Sequence, residues 1–210
     1  MDAIKKVVSA AIIAFIGLSC SHWVVSNNLK SDEFPMRVGA VHIYSLKGFT
    51  EGDSMVVTTV GTRRYHDHTI YIDSIAYFKD DSLKYSSEAY YAITSGYLYY
   101  YGDNAIGYLK DPIKLIDFPL YDGKSWFEDS EDTLGASWEC VDYDTLWLKQ
   151  GRYRAFCVQP SKNGDAAITR YWYAPNVGLV KFGKSSLSGP SRNQEICAFY
   201  PNGIPKDTTH

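Results

Sequence analysis

The sequence is most informative at residues 66–78, which read HDHTIYIDSIAYF. In this stretch the even positions place Ile70 and Ile72 on one side of an extended chain, and the odd positions place Tyr71 and Asp73 on the other. Successive side chains of a β-strand point to opposite faces of a sheet. The stretch therefore predicts a strand with two faces of different chemistry.

The rest of the chain repeats this pattern. From Gly39 onward, Gly, Asp, Asn and Pro interrupt runs rich in Tyr, Val, Ile, Thr and Trp, and no run has the spacing of an amphipathic helix. Residues 139–148 alternate in the same way, and Lys149–Arg152 is typical of a hairpin connection. The sequence predicts an all-β, antiparallel domain of about ten strands. It leaves open whether they form a single curved sheet, a half-barrel or a sandwich.

Length and charge exclude several classes of protein. A chain of 210 residues is typical of one domain, and its 21 basic and 24 acidic residues give no electrostatic reason to expect nucleic acid as a partner. Hydrophobic content of 45% with charged content of 21% excludes a disordered chain and a membrane protein with many spans. The unusual value is the aromatic content of 15%, which includes 18 tyrosines.

The first residues are typical of a signal for export. Lys5 and Lys6 precede an uncharged run over residues 7–18. This run is too short to cross ~30 Å of hydrocarbon, but it has the length of the core of a secretory signal. We therefore expect residues 1–19 to be a signal peptide that is removed from the mature chain.

The end of this signal resembles the lipobox of bacterial lipoproteins. It reads Gly17-Leu18-Ser19-Cys20, with Leu18 two positions before the cysteine where three is usual. In that family the cysteine carries the lipid, so the resemblance implies lipidation at Cys20 and a membrane anchor. Ser21 after the cysteine is similar to the pattern for sorting to the outer membrane, which implies a protein of the cell envelope on the periplasmic or surface side. Ordinary secretion without a lipid is the alternative.

The mature chain divides into three parts. Residues 20–36 are mostly polar and predict a tether, residues 37–200 predict a single β domain, and residues 201–210 predict a flexible tail. With Cys20 modified, three cysteines remain, so one disulfide and one free thiol would fit an oxidising compartment. Cys140 and Cys157 are a candidate pair, and three buried thiols are the alternative.

Three further stretches resemble a broad group of uncharacterised bacterial envelope lipoproteins. Residues 117–126 (DFPLYDGKSW) are similar to the element FPLxxGxxW of that group, residues 150–156 (QGRYRAF) to PxGxFxxF without its proline, and residues 171–181 (YWYAPNVGLVK) to YWYAPGVGLVK. Asn176 replaces a glycine in the third element, and asparagine also tolerates a positive φ. The resemblance implies an antiparallel β domain on a lipid anchor with no assigned catalytic residues.

A pair of histidines is the nearest approach to a metal site. His66 and His68 would point the same way on a strand, which is the spacing that two ligands of Zn²⁺ need. Further ligands would have to come from elsewhere, and the neighbouring Arg63 and Arg64 would repel a cation. Two polar residues at the end of a strand are the simpler interpretation, so we expect no metal and no cofactor.

Tyrosines provide a candidate site for a ligand. Their rings could stack on sugars or line a pocket for an acyl chain, whereas the simpler interpretation is packing between neighbouring strands. The candidate residues are Tyr90, Tyr91, Tyr99, Tyr101 and Tyr108.

No sequence motif of a known catalytic site is present, and we expect a protein that is not an enzyme. The favoured function is a lipid-anchored envelope protein that binds a hydrophobic or glycan ligand on an aromatic face. One alternative is a structural or assembly component with an envelope protein as its partner. A metal-dependent hydrolase built on His66 and His68 is the third hypothesis.

Overall fold

Twelve antiparallel strands make up the described part of the fold. The computed structural model describes residues 28–128, 137–161, 167–186 and 191–204. The all-β prediction is confirmed, with two strands more than the number expected. The strands are β1 (Val41–Lys47), β2 (Ser54–Tyr65), β3 (His68–Lys79), β4 (Ser82–Thr94), β5 (Tyr97–Asp103), β6 (Gly107–Asp117), β7 (Ser125–Phe127), β8 (Ser137–Leu148), β9 (Gly151–Pro160), β10 (Ala167–Ala174), β11 (Gly178–Ser186) and β12 (Arg192–Tyr200).

Short turns explain why successive strands pair with each other. Asp80 and Asp81, with φ of 51° and 57°, connect β3 to β4, and Ser95 and Gly96, with φ of 51° and 82°, connect β4 to β5. Positive φ at both central positions gives the turn whose twist matches that of two antiparallel strands. The hairpin predicted at Lys149–Arg152 is present between β8 and β9, with its turn at residues 149–150.

The third of the sequence elements forms another hairpin. Tyr171–Ala174 lie at the end of β10, and the turn at residues 175–177 leads to Gly178 at the start of β11. Asn176 adopts a φ of 61°, which is the conformation that its replacement of a glycine requires.

All strands belong to one sheet, in the order β6-β5-β4-β3-β2-β1-β12-β11-β10-β9-β8-β7. Each half of the chain is a meander, and the halves join where β1 pairs with β12. The two end strands, β6 and β7, are neighbours in the chain. The sheet therefore curves into a nearly closed, barrel-like shape, one of the forms that the sequence left open.

Both ends of the sheet contribute to one hydrophobic cluster. Leu98 and Ile116 come from β5 and β6, whereas Trp126, Cys140 and Phe156 come from β7, β8 and β9, and all are buried. We call the face of the sheet that carries these residues the inner face. Burial of this apolar surface, at roughly 25 cal/mol per Å², holds the two ends together.

An ion pair lies at the seam between the two end strands. The Lys124 Nζ atom, just before β7, lies 2.6 Å from the Asp117 Oδ1 atom at the end of β6. Both side chains are largely shielded from solvent, with exposed fractions of 12% and 24%. The pair therefore links the segment between β6 and β7 to the end of the preceding strand.

Residues 28–36, the second part of the predicted tether, contact the β domain. Leu29 and Leu120 exchange backbone hydrogen bonds of 2.9 and 2.8 Å, and both side chains are completely buried. Phe34 and Met36 also pack against the hydrophobic cluster of the inner face. The tether is predicted from the mostly polar composition of residues 20–36, which does not single out these apolar side chains. No helix among the described residues is long and apolar enough to cross a membrane.

Candidate functional site

The sheet carries a second hydrophobic cluster on its other face, which we call the outer face. Along β3, Ile70 and Ile72 point to this face, whereas Asp73 and Ile75 point to the inner face. Ile70 is completely buried although it lies outside the main core. Aromatic side chains must therefore cover it from the outer face.

Five tyrosines provide that cover, and we call them the tyrosine cluster. Four of the five predicted residues belong to it, joined by one that the sequence reasoning missed. They are Tyr65, Tyr90, Tyr99, Tyr101 and Tyr108.

Tyr108 stacks on two other members of the tyrosine cluster. Its ring stacks on that of Tyr65 with centroids 4.3 Å apart and on that of Tyr90 with centroids 4.9 Å apart. Gly102 pairs with both Tyr90 and Tyr108 in the sheet and has no side chain to separate their rings. Stacked pairs of this kind stabilise by about 0.5–1.5 kcal/mol each beyond the area that they bury.

Polar groups surround the rings of the tyrosine cluster. An Arg63 guanidinium nitrogen donates a hydrogen bond of 3.5 Å to the Tyr108 hydroxyl, and the Tyr90 hydroxyl donates one of 3.3 Å to the Glu88 carboxylate. Burial raises the pKa of the Tyr101 phenol. This surface therefore offers aromatic ring faces with polar groups at their edges.

The fifth predicted residue, Tyr91, lies on the inner face and belongs to a different group. It is close enough to Asp73 for the negative charge to raise its phenol pKa, although burial is the larger cause, and the same two causes raise the pKa of Tyr44. Burial also raises the pKa of the Asp73 carboxyl, which accepts a hydrogen bond of 2.7 Å from the Thr59 hydroxyl. The phenol, hydroxyl and carboxyl groups of these residues provide hydrogen-bond donors and acceptors on the inner face. None of these residues is an activated nucleophile.

The structure places the two histidines on different elements. His66 occupies the turn before β3 with a φ of 49°, and only His68 lies on the strand, so the two side chains do not share a strand face as predicted. His66 contacts the ring of Tyr65 and His68 lies 6.0 Å from that of Tyr101. Among the described residues, no group of three or more His, Cys, Asp or Glu could hold a metal ion.

The cysteines are free thiols where the structure describes them. Cys140 and Cys157 lie on the adjacent strands β8 and β9, where Cys140 pairs with Val158 and Cys157 with Asp142, and the candidate disulfide is absent. Burial raises the pKa of Cys140 to about 12 and that of Cys157 to about 11. Cys20, the predicted lipidation site, and the predicted signal peptide lie outside the described residues.

The surface of the described residues has depressions, and two of them have defined linings. One of about 310 Å³ lies between the 3-10 turn Ser31–Glu33, the following residues 34–37 and the end of β12. The other, of about 270 Å³, lies beside Trp172 and Gly183. Neither of these two is lined by residues of the tyrosine cluster.

Two solved structures have a similar fold. A protein classed as exported, with a YmcC-like fold, from Bacteroides fragilis NCTC 9343 matches with a TM-score of 0.54 at 12% identity, over 80% of this chain and 98% of that chain. A protein classed as a lipoprotein from Parabacteroides distasonis ATCC 8503 matches with a TM-score of 0.50 at 13% identity, over the same shares of the two chains. No protein-family model matches the sequence, and a search of curated proteins gives no match. At these identities the likeness shows a shared fold.

Proposed function

We propose that this protein is a lipid-anchored protein of the bacterial cell envelope that binds a hydrophobic or glycan ligand on its tyrosine cluster and does not catalyse a reaction. The lipobox-like sequence at Cys20 supports the anchor, and so do the three elements that resemble envelope lipoproteins. Two proteins of similar fold, one classed as exported and one as a lipoprotein, are consistent with the same compartment.

The tyrosine cluster is the observation that carries the binding role. Tyr65, Tyr99 and Tyr108 remain partly exposed, whereas Tyr90 and Tyr101 are buried beneath them. The exposed rings are therefore held in place by a rigid layer of aromatic side chains. An ordered aromatic surface loses little conformational entropy when a ligand such as a sugar ring or a lipid chain binds it.

Native mass spectrometry tests this function. Protein purified from its own host should retain a lipid or glycan, and Tyr65→Ala and Tyr108→Ala should each lose it. Tyr85→Ala is a matched control, because Tyr85 is 51% exposed and lies outside the tyrosine cluster. Wild-type protein without a retained molecule, or retention that Tyr108→Ala leaves unchanged, would count against the proposal.

Metabolic labelling tests the anchor separately. A radioactive fatty acid supplied to the host should appear in the wild-type protein and not in Cys20→Ala. Fractionation of the same cells should place the wild type with the outer membrane and the variant in the soluble fraction.

A role in assembly is the second candidate, and one strand favours it. β6 has eleven residues and ends the sheet, so its outer edge has no strand partner among the described residues. Unpaired edges can accept a strand from another protein, although Pro112 within β6 limits such pairing. Crosslinking in membranes followed by capture of this protein separates the two functions, because a ligand carrier should be recovered mostly alone.

A further inference from the structure

The hairpin of β8 and β9 extends beyond the strand beside it. β8 pairs with β9 as far as Leu148 and Gly151, whereas β10 pairs with β9 only at residues 156–158. Residues 143–154 therefore form a two-stranded ribbon beyond the paired part of β10. We refer to these residues as the ribbon.

The two faces of the ribbon have different environments. Leu146, Leu148 and Tyr153 pack against the hydrophobic cluster that includes Val180 and Ile196. The opposite face carries Trp147, whose residue is 78% exposed, more than any other large hydrophobic residue that the structure describes. Packing against this cluster explains why the first face carries large apolar side chains. It does not explain why the exposed second face carries a tryptophan.

Positive charge surrounds this tryptophan. Residues 145–154 (TLWLKQGRYR) contain one lysine and two arginines and no acidic residue, on a chain whose net charge is −3. The Arg152 guanidinium lies 5.6 Å from the centroid of the Trp147 ring, and that of Arg154 lies 4.6 Å from the centroid of the Tyr143 ring.

The acidic residues nearest in sequence lie on the other face. Asp142 pairs with Cys157 and Asp144 with Ala155, whereas Trp147 pairs with Arg152. By the alternation of side chains along a strand, the face with Trp147, Arg152 and Arg154 is free of carboxylates within residues 143–154. It is therefore a cationic and aromatic surface on an acidic protein.

We propose that the ribbon rests on the surface of an anionic lipid bilayer. Tryptophan favours the headgroup region of a membrane, where its apolar body and its polar N–H are both accommodated. Lysine and arginine are attracted to anionic headgroups, with about a fivefold gain in partitioning for each cation. Trp147 with Lys149, Arg152 and Arg154 combines the two features near the tip of the hairpin of β8 and β9.

The anchor would hold the ribbon near such a surface, and in this respect the inference rests on the proposed function. Leu29 belongs to the same hydrophobic cluster as Phe156, which pairs with Tyr143 at the base of the ribbon. Cys20 precedes Leu29 by nine residues, which span at most about 32 Å when fully extended. A lipid on Cys20 would therefore keep the base of the ribbon within reach of the bilayer.

Vesicle sedimentation tests the proposal without the anchor. The protein used is residues 20–210 with Cys20→Ser, which contains every described residue and carries no lipid. It should bind vesicles of phosphatidylcholine with about 30% phosphatidylglycerol, bind pure phosphatidylcholine weakly, and lose binding at high salt.

Matched variants locate the contact. Lys149→Ser with Arg152→Ser should lower partitioning by about 25-fold, and Trp147→Ser by at least about tenfold. The controls are Lys84→Ser with Lys110→Ser, which removes the same charge elsewhere, and Leu83→Ser, at a residue that is 58% exposed; each should stay within about twofold of the wild type.

Several outcomes would overturn the proposal. They are no binding to the anionic vesicles, equal losses in the ribbon and control variants, and binding through the ribbon to a soluble acidic polysaccharide but not to vesicles. None of them bears on lipidation of Cys20 or on retention of a ligand by the tyrosine cluster, which are measured separately.

Discussion

The rings of Tyr65 and Tyr108 stack with centroids 4.3 Å apart, although three strands separate β2 from β6 in the sheet. Neighbouring strands lie about 4.8 Å apart, so in a flat sheet these two strands would be about 19 Å apart. The sheet must therefore curl toward its outer face at this end, opposite to the curvature that closes the inner face. This local curl creates the tyrosine cluster.

Gly102 is the first test of that curl. Its φ is +119°, and a Cβ at this position would collide with the backbone carbonyl oxygen of Gly107. We expect Gly102→Ala to lower the free energy of unfolding by about 1–3 kcal/mol and to disturb the stacking of Tyr90 and Tyr108. Urea denaturation and near-ultraviolet circular dichroism measure the two effects.

Gly61→Ala is the control for this substitution, because a Cβ there would have no heavy atom within 4 Å. Its free energy of unfolding should stay within about 0.5 kcal/mol of the wild type. Equal stability of the Gly61 and Gly102 variants would contradict the interpretation.

The segment before β1 can be tested at Leu29. Its side chain is fully buried in the cluster that joins both ends of the sheet, so Leu29→Ala should lower the free energy of unfolding by about 2–5 kcal/mol. Leu83→Ala, at an exposed residue of β4, should change it by no more than about 0.5 kcal/mol. An unchanged free energy of unfolding in Leu29→Ala would favour the tether that the sequence predicted.

Asp73 should make stability depend on pH. Burial raises its pKa in the folded protein above the ordinary value, so the folded state holds this proton more tightly than the unfolded state does. The contribution of Asp73 to the free energy of unfolding is therefore fully present below the pKa that this carboxyl has in the unfolded chain. It is lost as the pH rises through the pKa that the carboxyl has in the folded protein. In Asp73→Asn, the free energy of unfolding should lose less of its value as the pH rises. Urea denaturation from about pH 3 upward measures this change.

The control for Asp73 is Asp144→Asn, which removes a negative charge from an exposed position of the ribbon. The dependence of its free energy of unfolding on pH should match that of the wild type. An unchanged dependence in Asp73→Asn would contradict the contribution assigned to Asp73.

The buried thiols should resist modification. Because the pKa values of Cys140 and Cys157 are raised to about 12 and about 11, both remain protonated at pH 8 and thiolate is the reactive form. A disulfide reagent followed by mass spectrometry should modify Cys197, which is partly exposed, before either of them. All three should react at similar rates in denaturant. Rapid modification of the Cys140 thiol in the folded protein would contradict its burial.

Local patterns predicted much of the fold. Alternation along residues 66–78 gives the two faces of β3, and the turn at residues 149–150 follows from its residue types. The same alternation could have separated Tyr91 from Tyr90, because adjacent residues on a strand point to opposite faces. Tyr65 was missed because its partner in the stack comes from a strand that is distant in the chain.

Other features could not be predicted from local patterns. Bulges such as the one between Tyr90 and Tyr91 in the pairing of β4 with β5 change which side chains align, and a single sequence does not locate them. The burial of Leu29 depends on Leu120, ninety-one positions later, which a polar average over the segment does not reveal. The direction in which the sheet curls depends on such distant contacts together.

The pairing of β1 with β12 has a consequence for the order of folding. Ser45 and Glu195 lie opposite each other on these strands and are 150 positions apart. Until the last strand is available, β1 has an open edge and the two meanders have no joint. Closure of so long a loop is entropically costly, and contacts of this separation slow folding. We therefore expect completion of the sheet to be a late event, with each half forming its hairpins first.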